Sequence, residues 1–519
     1  MAALLFARAG FVRVSRPVSD FYAAGRLMPA FLNSMAIAGS SVAALAFAGA
    51  SGAVDFDWEG VSVLLCGVGA GLIVAGLVVA PYLRAYGGYT LPDFLAERFG
   101  GETMRPLGIL GVILCSFPAL AAVLLAFGLL GQAVFALPPG IGVAAGCLLI
   151  FMATLIGGMR SLSLSQLAYY MVMLLAGLVA VLVVLWQTGT LVALDAMVID
   201  EVAPTLGGKA FAQTSPINSF ALLFCLITGI ASLPYLLMRS FTAPAPEDAR
   251  LAFVGAPVFV LLLCGAAPAL AALYEAASVA AADVLSMISQ AVLVVGTIAA
   301  LLSTGAALAL SIGNVFSYDL YFKSLRPEAP VSRQLLLARL SVIVVTALAS
   351  GAALAWPRGV LMGTAAAFSL AASAFLPVLV LGLWWKRLSS DAAVAGMIAG
   401  LVICLYYMVA PHTIPFLFYD SSSVLSDATQ ARAAAYEALR HDYYVARDPA
   451  SQAVVFAQWQ ASVRPIANWL GVHGALAGVF AVPVGFLVTI LVGAFTSAPS
   501  RDVQSFVEAL RVKAAAQAG

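Results

Sequence analysis

The chain has 519 residues, of which 63 % are hydrophobic and only 9 % are charged, and its mean hydropathy is +1.04. Soluble globular proteins carry about 25 % charged residues, so this composition excludes a soluble fold and predicts an all-α polytopic protein surrounded by membrane lipid. The formal net charge of +1 gives no indication of a nucleic-acid partner.

Apolar runs of about 20 residues are long enough to cross a bilayer as helices, and the chain contains about twelve of them. We number them spans 1 to 12; they cover residues 29–53, 61–83, 106–136, 139–157, 161–187, 216–238, 251–274, 284–316, 340–356, 359–384, 392–411 and 470–496. None of these runs contains Asp, Glu, Lys or Arg, whereas proton pumps and proton-coupled carriers usually need such groups inside the membrane. A metal cation bound by neutral oxygen atoms is therefore a better candidate for a coupling ion than a proton.

The positions of Lys and Arg predict how the spans are oriented, because these residues concentrate in cytoplasmic loops. With residues 1–28 in the cytoplasm, 19 of the 25 Lys and Arg residues fall on the cytoplasmic side. An even number of spans then places both termini in the cytoplasm.

Spans 1 and 6 carry helix-interrupting residues near their middle. Span 1 contains Gly39, Ser40 and Ser41, and span 6 contains Gly229 and Pro234. Small residues in membrane helices also serve packing alone, but carrier folds place their binding sites at such interruptions. The two motifs lie five spans apart, which favours two inverted five-helix repeats over spans 1–5 and 6–10, with spans 11 and 12 appended.

Span 8 carries a cluster of oxygen atoms in an otherwise apolar helix. Ala300, Ser303 and Thr304 stand at positions i, i+3 and i+4, so two hydroxyls and the region of one carbonyl share a face. Hydroxyl and carbonyl oxygens suit a hard cation such as Na⁺, by the same preference that governs Ca²⁺ and Mg²⁺. The alternative is that both hydroxyls bond to carbonyls of the preceding turn.

The loop from Gly87 to Gly100 contains Thr90 and Pro92, which are typical of a helix start, and predicts a short amphipathic surface helix without chemistry of its own. The sequence lacks a Walker A loop, a paired-cysteine zinc site and a His-Glu cluster within a span, so we expect no enzyme.

Several motifs together resemble the sodium/solute symporter family along nearly the whole chain. They are D-F-Y-A-A-G-R (20–26), Y-T-L-P-D-F-L-A-E-R-F-G (89–100), G-G-M-R-S-L-S-L-S-Q (157–166), L-P-Y-L-L-M-R-S-F-T (233–242), A-L-L-S-T (300–304) and S-Y-D-L-Y (317–321). The G-G-M and L-P-x-x-L-M-R forms resemble the acetate and monocarboxylate permease branch. The last span resembles a nearby bacterial branch whose members often accompany a small membrane subunit, which leaves such a partner open.

The resemblance implies a LeuT-like five-plus-five inverted repeat and a sodium-coupled symporter for a small organic solute, working by alternating access. It places the Na⁺ ligands on the carbonyls of Gly39 and Val42, the carbonyl of Ala300, and the hydroxyls of Ser303 and Thr304.

The expected solute is a monocarboxylate. We expect backbone N–H groups at the two helix interruptions to hold it, near Ser40 and Ser41 in span 1 and near Thr228 and Ser232 in span 6.

The chain also departs from the family pattern. Gln166 stands where many members have Asp, and Ala306 and Ala307 supply no hydroxyls beyond Thr304, so we expect one Na⁺ per cycle. Tyr235 replaces a His of the acetate-permease pattern, which weighs against acetate itself.

The predicted organisation follows from the spans and the resemblance. It comprises a cytoplasmic N-terminus (1–28), an inverted-repeat transport core (29–384), an additional helix (385–411), an extracellular or periplasmic insertion (412–469) that is helical around 428–462, a last helix (470–496) and a cytoplasmic tail (497–519). We expect the protein in the bacterial inner membrane. The alternative function is a solute sensor or regulatory membrane module that does not transport.

Overall fold

The structure is a computed structural model that describes residues 18–41, 58–154, 157–188, 216–266, 269–270, 284–355, 360–414, 418, 430–446, 448, 451–458 and 468–516. Regular secondary structure in these ranges is helical, as predicted. Each predicted span contains a helix. In chain order these are Ala30–Ser41, Trp58–Val78 with Ala80–Tyr86, Gly101–Phe135, Pro139–Thr154, Gly158–Thr188, Pro216–Ile230 with Pro234–Leu237, Pro246–Cys264, Val284–Asn314, Val331–Ala355, Val360–Trp384, Ser390–Thr413 and Gly478–Phe495.

Among the described residues, eight helices are long and apolar enough to cross a bilayer. The number is nine if the two helices of span 2, which bend by 41°, count as one span. The protein is therefore a multi-pass membrane protein.

Span 10 lies near the centre of the bundle and span 9 at its edge. In the most apolar stretch of each, 83 % of the residues of span 10 are buried but only 33 % of those of span 9. Small side chains let the central helices approach closely. At Gly229 of span 6 an added Cβ would lie only 2.7 Å from the Cβ and the carbonyl oxygen of Phe368 in span 10.

Span 6 is interrupted where the sequence predicts it. Its first helix ends at Ile230, a second begins at Pro234, and a 3₁₀ turn continues from Met238 to Thr242. Proline causes the break, because it lacks an N–H and its ring clashes with the preceding turn. Span 1, in contrast, is helical through Ser41, and residues 42–57 lie outside the described part of the chain.

The short helix after span 2 is not the surface element that its composition predicts. It runs from Leu91 to Phe99, and Thr90 caps it as expected by accepting a hydrogen bond from the Asp93 N–H. Most of its residues are buried, including Asp93 and Arg98. The Arg98 guanidinium donates to three carbonyls, that of Gly382 near the end of span 10 and those of Trp385 and Leu388 in the loop after it. Burial lowers the pKa of Arg98 to about 10, which leaves it charged at neutral pH.

Further helices lie outside the spans, and one of them, Val18–Ala23, precedes span 1. The insertion contains Gln430–Val445, within the stretch predicted to be helical, and the C-terminal tail forms Arg501–Ala516, which we did not predict. Arg511 of the tail helix donates to the Leu383 carbonyl at the end of span 10, so this helix packs against the bundle.

Candidate functional site

Spans 1, 5 and 8 meet at the oxygen cluster of span 8. The Thr304 hydroxyl donates to the Ser40 carbonyl at 3.3 Å, and the Gln166 amide of span 5 donates to the Ser303 carbonyl at 2.9 Å. A Cβ added at Gly39 would lie 3.6 Å from the Ser303 Oγ. The structure thus brings together Gly39, Ser303 and Thr304.

Two oxygen atoms at this crossing lack a hydrogen-bond partner among the described residues: the Ser303 Oγ and the Gln166 Oε1. Both side chains are fully buried. The Thr304 hydroxyl uses its proton on Ser40 and keeps its lone pairs for another contact. Neutral oxygen atoms with unused acceptor capacity fit a hard cation such as Na⁺.

Of the two other residues predicted to bind sodium, Ala300 and Val42, the structure describes only Ala300. Ala300 is buried on span 8, one turn before Ser303 and Thr304. Val42 lies outside the described residues. Within the described part of the chain no group of three His, Cys, Asp or Glu side chains could hold a metal.

A cavity of about 30 Å³ lies beside the crossing. It is largely apolar, with walls that include Leu233 and Phe368, and it receives Ser41, Tyr235 and Thr304. Thr304 therefore belongs both to the predicted sodium set and to the cavity wall.

The Ser40 carbonyl links this cavity to the crossing. It accepts the Tyr235 hydroxyl of span 6 at 3.3 Å and the Thr304 hydroxyl of span 8 at the same distance. Tyr235 follows Pro234 directly, so the restart of span 6 positions its ring. In the sequence, Tyr235 stands out only as a departure from a family pattern. Its place directly after the helix-breaking Pro234 is the feature that could have indicated its role.

The hydroxyls of the four residues predicted to bind the solute all donate hydrogen bonds within their own helices. Each bonds to a carbonyl of its own preceding turn, the alternative that such residues usually adopt. The acceptors are Ala36 for Ser40 at 2.8 Å, Ala38 for Ser41 at 3.0 Å, Phe224 for Thr228 at 2.7 Å and Thr228 for Ser232 at 2.8 Å. Of these four residues, Ser41 lines the cavity.

The sequence profile of the sodium:solute symporter family matches residues 21–400, which is more than half of the chain. The chain belongs to this family. It is 25 % identical to an uncharacterized symporter of Cupriavidus necator, over 98 % of this chain and 92 % of the relative. It is 29 % identical to the uncharacterized symporter YwcA of Bacillus subtilis, over 75 % of this chain and 80 % of the relative.

A solved structure of a sodium-coupled sialic acid symporter, in a substrate-bound outward-open state, shares the fold. The TM-score is 0.68 over 96 % of both chains, at 12 % sequence identity. The predicted LeuT-like inverted repeat is thereby confirmed. The family is one of transporters and not of enzymes, and membership implies a small solute and Na⁺ as the coupling ion.

At the predicted cytoplasmic end of the bundle lies a group of buried ionic side chains that the apolar runs did not predict. The helix of span 8 does not stop where its apolar run ends but continues to Leu325, so Asp319 is fully buried within it. Its Oδ1 accepts from Arg105 at 3.0 Å and from Thr90 at 2.9 Å. Arg105 also bonds to Asp93 at 3.0 Å. Ionisable groups are therefore present in the buried bundle, about four turns from Ser303, because their partners neutralise them.

Proposed function

We propose that the protein is a sodium-coupled secondary active symporter that takes up a small organic monocarboxylate by alternating access. It would work in a bacterial inner membrane, with both termini in the cytoplasm and residues 29–384 as the transport core. The observation that carries this proposal is the crossing of spans 1, 5 and 8, where two buried oxygen atoms have no partner among the described residues and the neighbouring Thr304 lines a small cavity.

Thr304 is the residue that would couple ion and solute. It contributes a hydroxyl to the predicted sodium set and a wall to the cavity, and it bonds to the carbonyl that Tyr235 also contacts. A cation at the crossing would fix the relative position of spans 1 and 8. Because a ligand shifts a conformational equilibrium only by its differential affinity, sodium would favour the arrangement in which the cavity is complete.

The cavity favours a small, largely apolar solute with few polar atoms. Its volume of about 30 Å³ excludes a bulky solute, and among its mostly apolar walls stand the hydroxyl residues Ser41, Tyr235, Thr304 and Thr364.

A buried positive charge favours an anion. Arg239 lies about one turn beyond Tyr235, is fully buried and donates to the Ser163 hydroxyl at 2.7 Å. In the described part of the chain no carboxylate lies within ion-pair distance of it. Arg239 does not line the cavity, but its charge acts through the low-dielectric interior, so it favours a negatively charged solute over a positively charged one.

The test is a double variant, Ser303→Ala with Thr304→Ala, assayed for uptake in proteoliposomes over a range of external Na⁺. We expect the half-saturating Na⁺ concentration to rise by about tenfold or more, which corresponds to the loss of about 1.4 kcal/mol of binding free energy. The melting temperature without Na⁺ should stay close to that of the wild type.

Thr346→Val is the matched control, because this buried threonine of span 9 also bonds to its own helix, at the Val342 carbonyl. It should keep the sodium dependence of the wild type. A double variant with unchanged sodium dependence would contradict the assignment of the site.

A further inference from the structure

The second half of span 8 contains buried polar atoms that the sodium set does not use. Among the described residues, the Ser311 Oγ, both side-chain amide atoms of Asn314 and the Asp319 Oδ2 have no hydrogen-bond partner. All three side chains are at most 1 % exposed. Buried polar groups without partners destabilise a fold, and in membrane proteins such groups mark ion and solute pathways.

These residues follow one side of the helix from the predicted sodium set toward the predicted cytoplasmic end. Asn314 stands three turns after Ser303, about 16 Å along the axis, and Ser311 lies between them, turned about 60° around the helix from Asn314. Sodium released toward the cytoplasm would therefore meet Ser311 and Asn314 in order.

A change in helix type keeps Asp319 on this side. From Val315 to Leu325 the helix is a π-helix, in which residue i bonds to residue i+5. Asp319 is thus one π-turn below Asn314, whereas in an α-helix it would point roughly 140° away. π-turns are rare and frequently occur at functional sites.

Two positively charged side chains, Arg105 and Lys323, lie at the predicted cytoplasmic end of this row of residues. Arg105 and Thr90 occupy the Asp319 Oδ1 and leave its Oδ2 facing no partner in the described residues. Lys323 lies 3.7 Å from the Asp93 carboxylate, which Arg105 also contacts. A mobile cation that reached Asp319 would compete with Arg105 for its carboxylate.

We infer that Ser311, Asn314 and Asp319 form a second cation station, through which sodium leaves the crossing for the cytoplasm. The ion would contact the Ser311 Oγ, the Asn314 Oδ1 and the Asp319 Oδ2 one after another, and oxygen atoms of this kind suit Na⁺. The inference rests on the proposed sodium coupling. The same ion would occupy the two positions in turn, so the expected stoichiometry of one Na⁺ per cycle is unchanged.

The test separates sodium release from sodium binding with Asn314→Leu, which keeps the size of the side chain and removes its oxygen. Sodium titration of the melting temperature, which needs no solute, reports binding. Sodium release is measured by comparing two transport modes in proteoliposomes. One is net uptake into a sodium-free lumen, and the other is exchange with saturating Na⁺ on both sides. Labelled acetate, pyruvate and lactate are the probes in both. We expect an unchanged sodium midpoint, net uptake slowed by about tenfold and exchange within about twofold of the wild type, because exchange does not require the ion to leave.

Ser311→Ala should show the same pattern more weakly. Thr297→Val is the control on the same helix, since its buried hydroxyl bonds to the Leu293 carbonyl, and it should affect neither mode. If Asn314→Leu slows net uptake and exchange equally, or slows neither, the second cation station is refuted, but the proposed sodium site at the crossing is not. If the wild type itself shows no sodium midpoint, the proposed function fails, and the station fails with it.

Discussion

Replacing Gln166 tests whether sodium binds at the crossing of spans 1, 5 and 8. This side chain is fully buried; its Nε2 donates to the Ser303 carbonyl at 2.9 Å, and its Oε1 has no partner among the described residues. An oxygen in this position is available to a cation beside Ser303. Gln166→Leu removes that oxygen, and Gln166→Glu gives it a charge.

The two variants should move sodium affinity in opposite directions. Loss of one polar contact to a charged group costs about 1.5 to 3 kcal/mol, so Gln166→Leu should weaken sodium binding by about tenfold or more. A carboxylate about 4 Å from Na⁺ gains about 4 kcal/mol at an effective dielectric constant of about 20. Part of that gain is offset by the cost of burying the carboxylate, so Gln166→Glu should tighten binding by about tenfold.

Folding stability should change much less than sodium affinity. Gln166→Leu loses one hydrogen bond, worth about 0.5 to 1.5 kcal/mol net, but also removes a buried oxygen whose lack of a partner costs about 1 to 3 kcal/mol. The two terms oppose each other. The melting temperature of this variant without Na⁺ should therefore stay near that of the wild type.

The assay is the melting temperature of the purified protein, titrated with Na⁺ between about pH 5 and about pH 9. The gain in Gln166→Glu requires the ionised carboxyl, so it should be full at high pH and disappear as the pH falls through the pKa of that carboxyl. Wild type and Gln166→Leu should show no such dependence from this position. Sodium midpoints of both variants within about twofold of the wild type, which is about 0.4 kcal/mol, would refute a sodium ion beside Gln166.

Three other substitutions test the packing, the cavity and the ionic cluster. Gly229→Ala forces a methyl group against the backbone of Phe368 and should lower the free energy of unfolding by about 1 to 3 kcal/mol, measured as a lower melting temperature. The control is Gly351→Ala, where the added methyl group has open space and should not lower the melting temperature. Tyr235→Phe loses a hydrogen bond to span 1 worth about 0.5 to 1.5 kcal/mol and should raise the half-saturating solute concentration by about threefold or more in uptake assays; an unchanged value would remove this hydroxyl from the site. Arg105→Gln leaves the buried carboxylates of Asp93 and Asp319 without their shared cation and should lower the free energy of unfolding by about 3 to 5 kcal/mol, measured by thermal unfolding. A variant as stable as the wild type would show that ion pairing does not hold these three side chains together.

Features that depend on local backbone chemistry could be predicted from the sequence. Pro234 predicts the interruption of span 6 because it lacks an N–H, and Thr90 predicts a helix start because its hydroxyl can accept a backbone hydrogen bond. The oxygen face of Ser303 and Thr304 follows from helical spacing alone. These predictions need no knowledge of what the helices pack against.

Features that depend on contacts between distant segments could not be predicted in the same way. The Tyr235 hydroxyl reaches the Ser40 carbonyl across 195 positions of sequence, and Thr90 reaches Asp319 across 229. The apolar run of span 8 ends before Asp319, yet the helix continues, because ion pairing compensates the buried charge.

The C-terminal helix carried a signal that was available. Phe506, Val507, Leu510 and Ala514 recur at helical spacing in the tail, and three of them are buried. A polar tail with this pattern predicts an amphipathic helix that docks on another surface. The docking site itself, at the Leu383 carbonyl, required the structure.

The most direct test of the central claim is accumulation of labelled pyruvate, acetate and lactate in proteoliposomes, with and without an inward Na⁺ gradient at fixed pH. Accumulation above the external concentration, driven by Na⁺ and absent when K⁺ replaces it, is the predicted result for at least one of these monocarboxylates. Uptake at the same level with either cation would contradict sodium coupling.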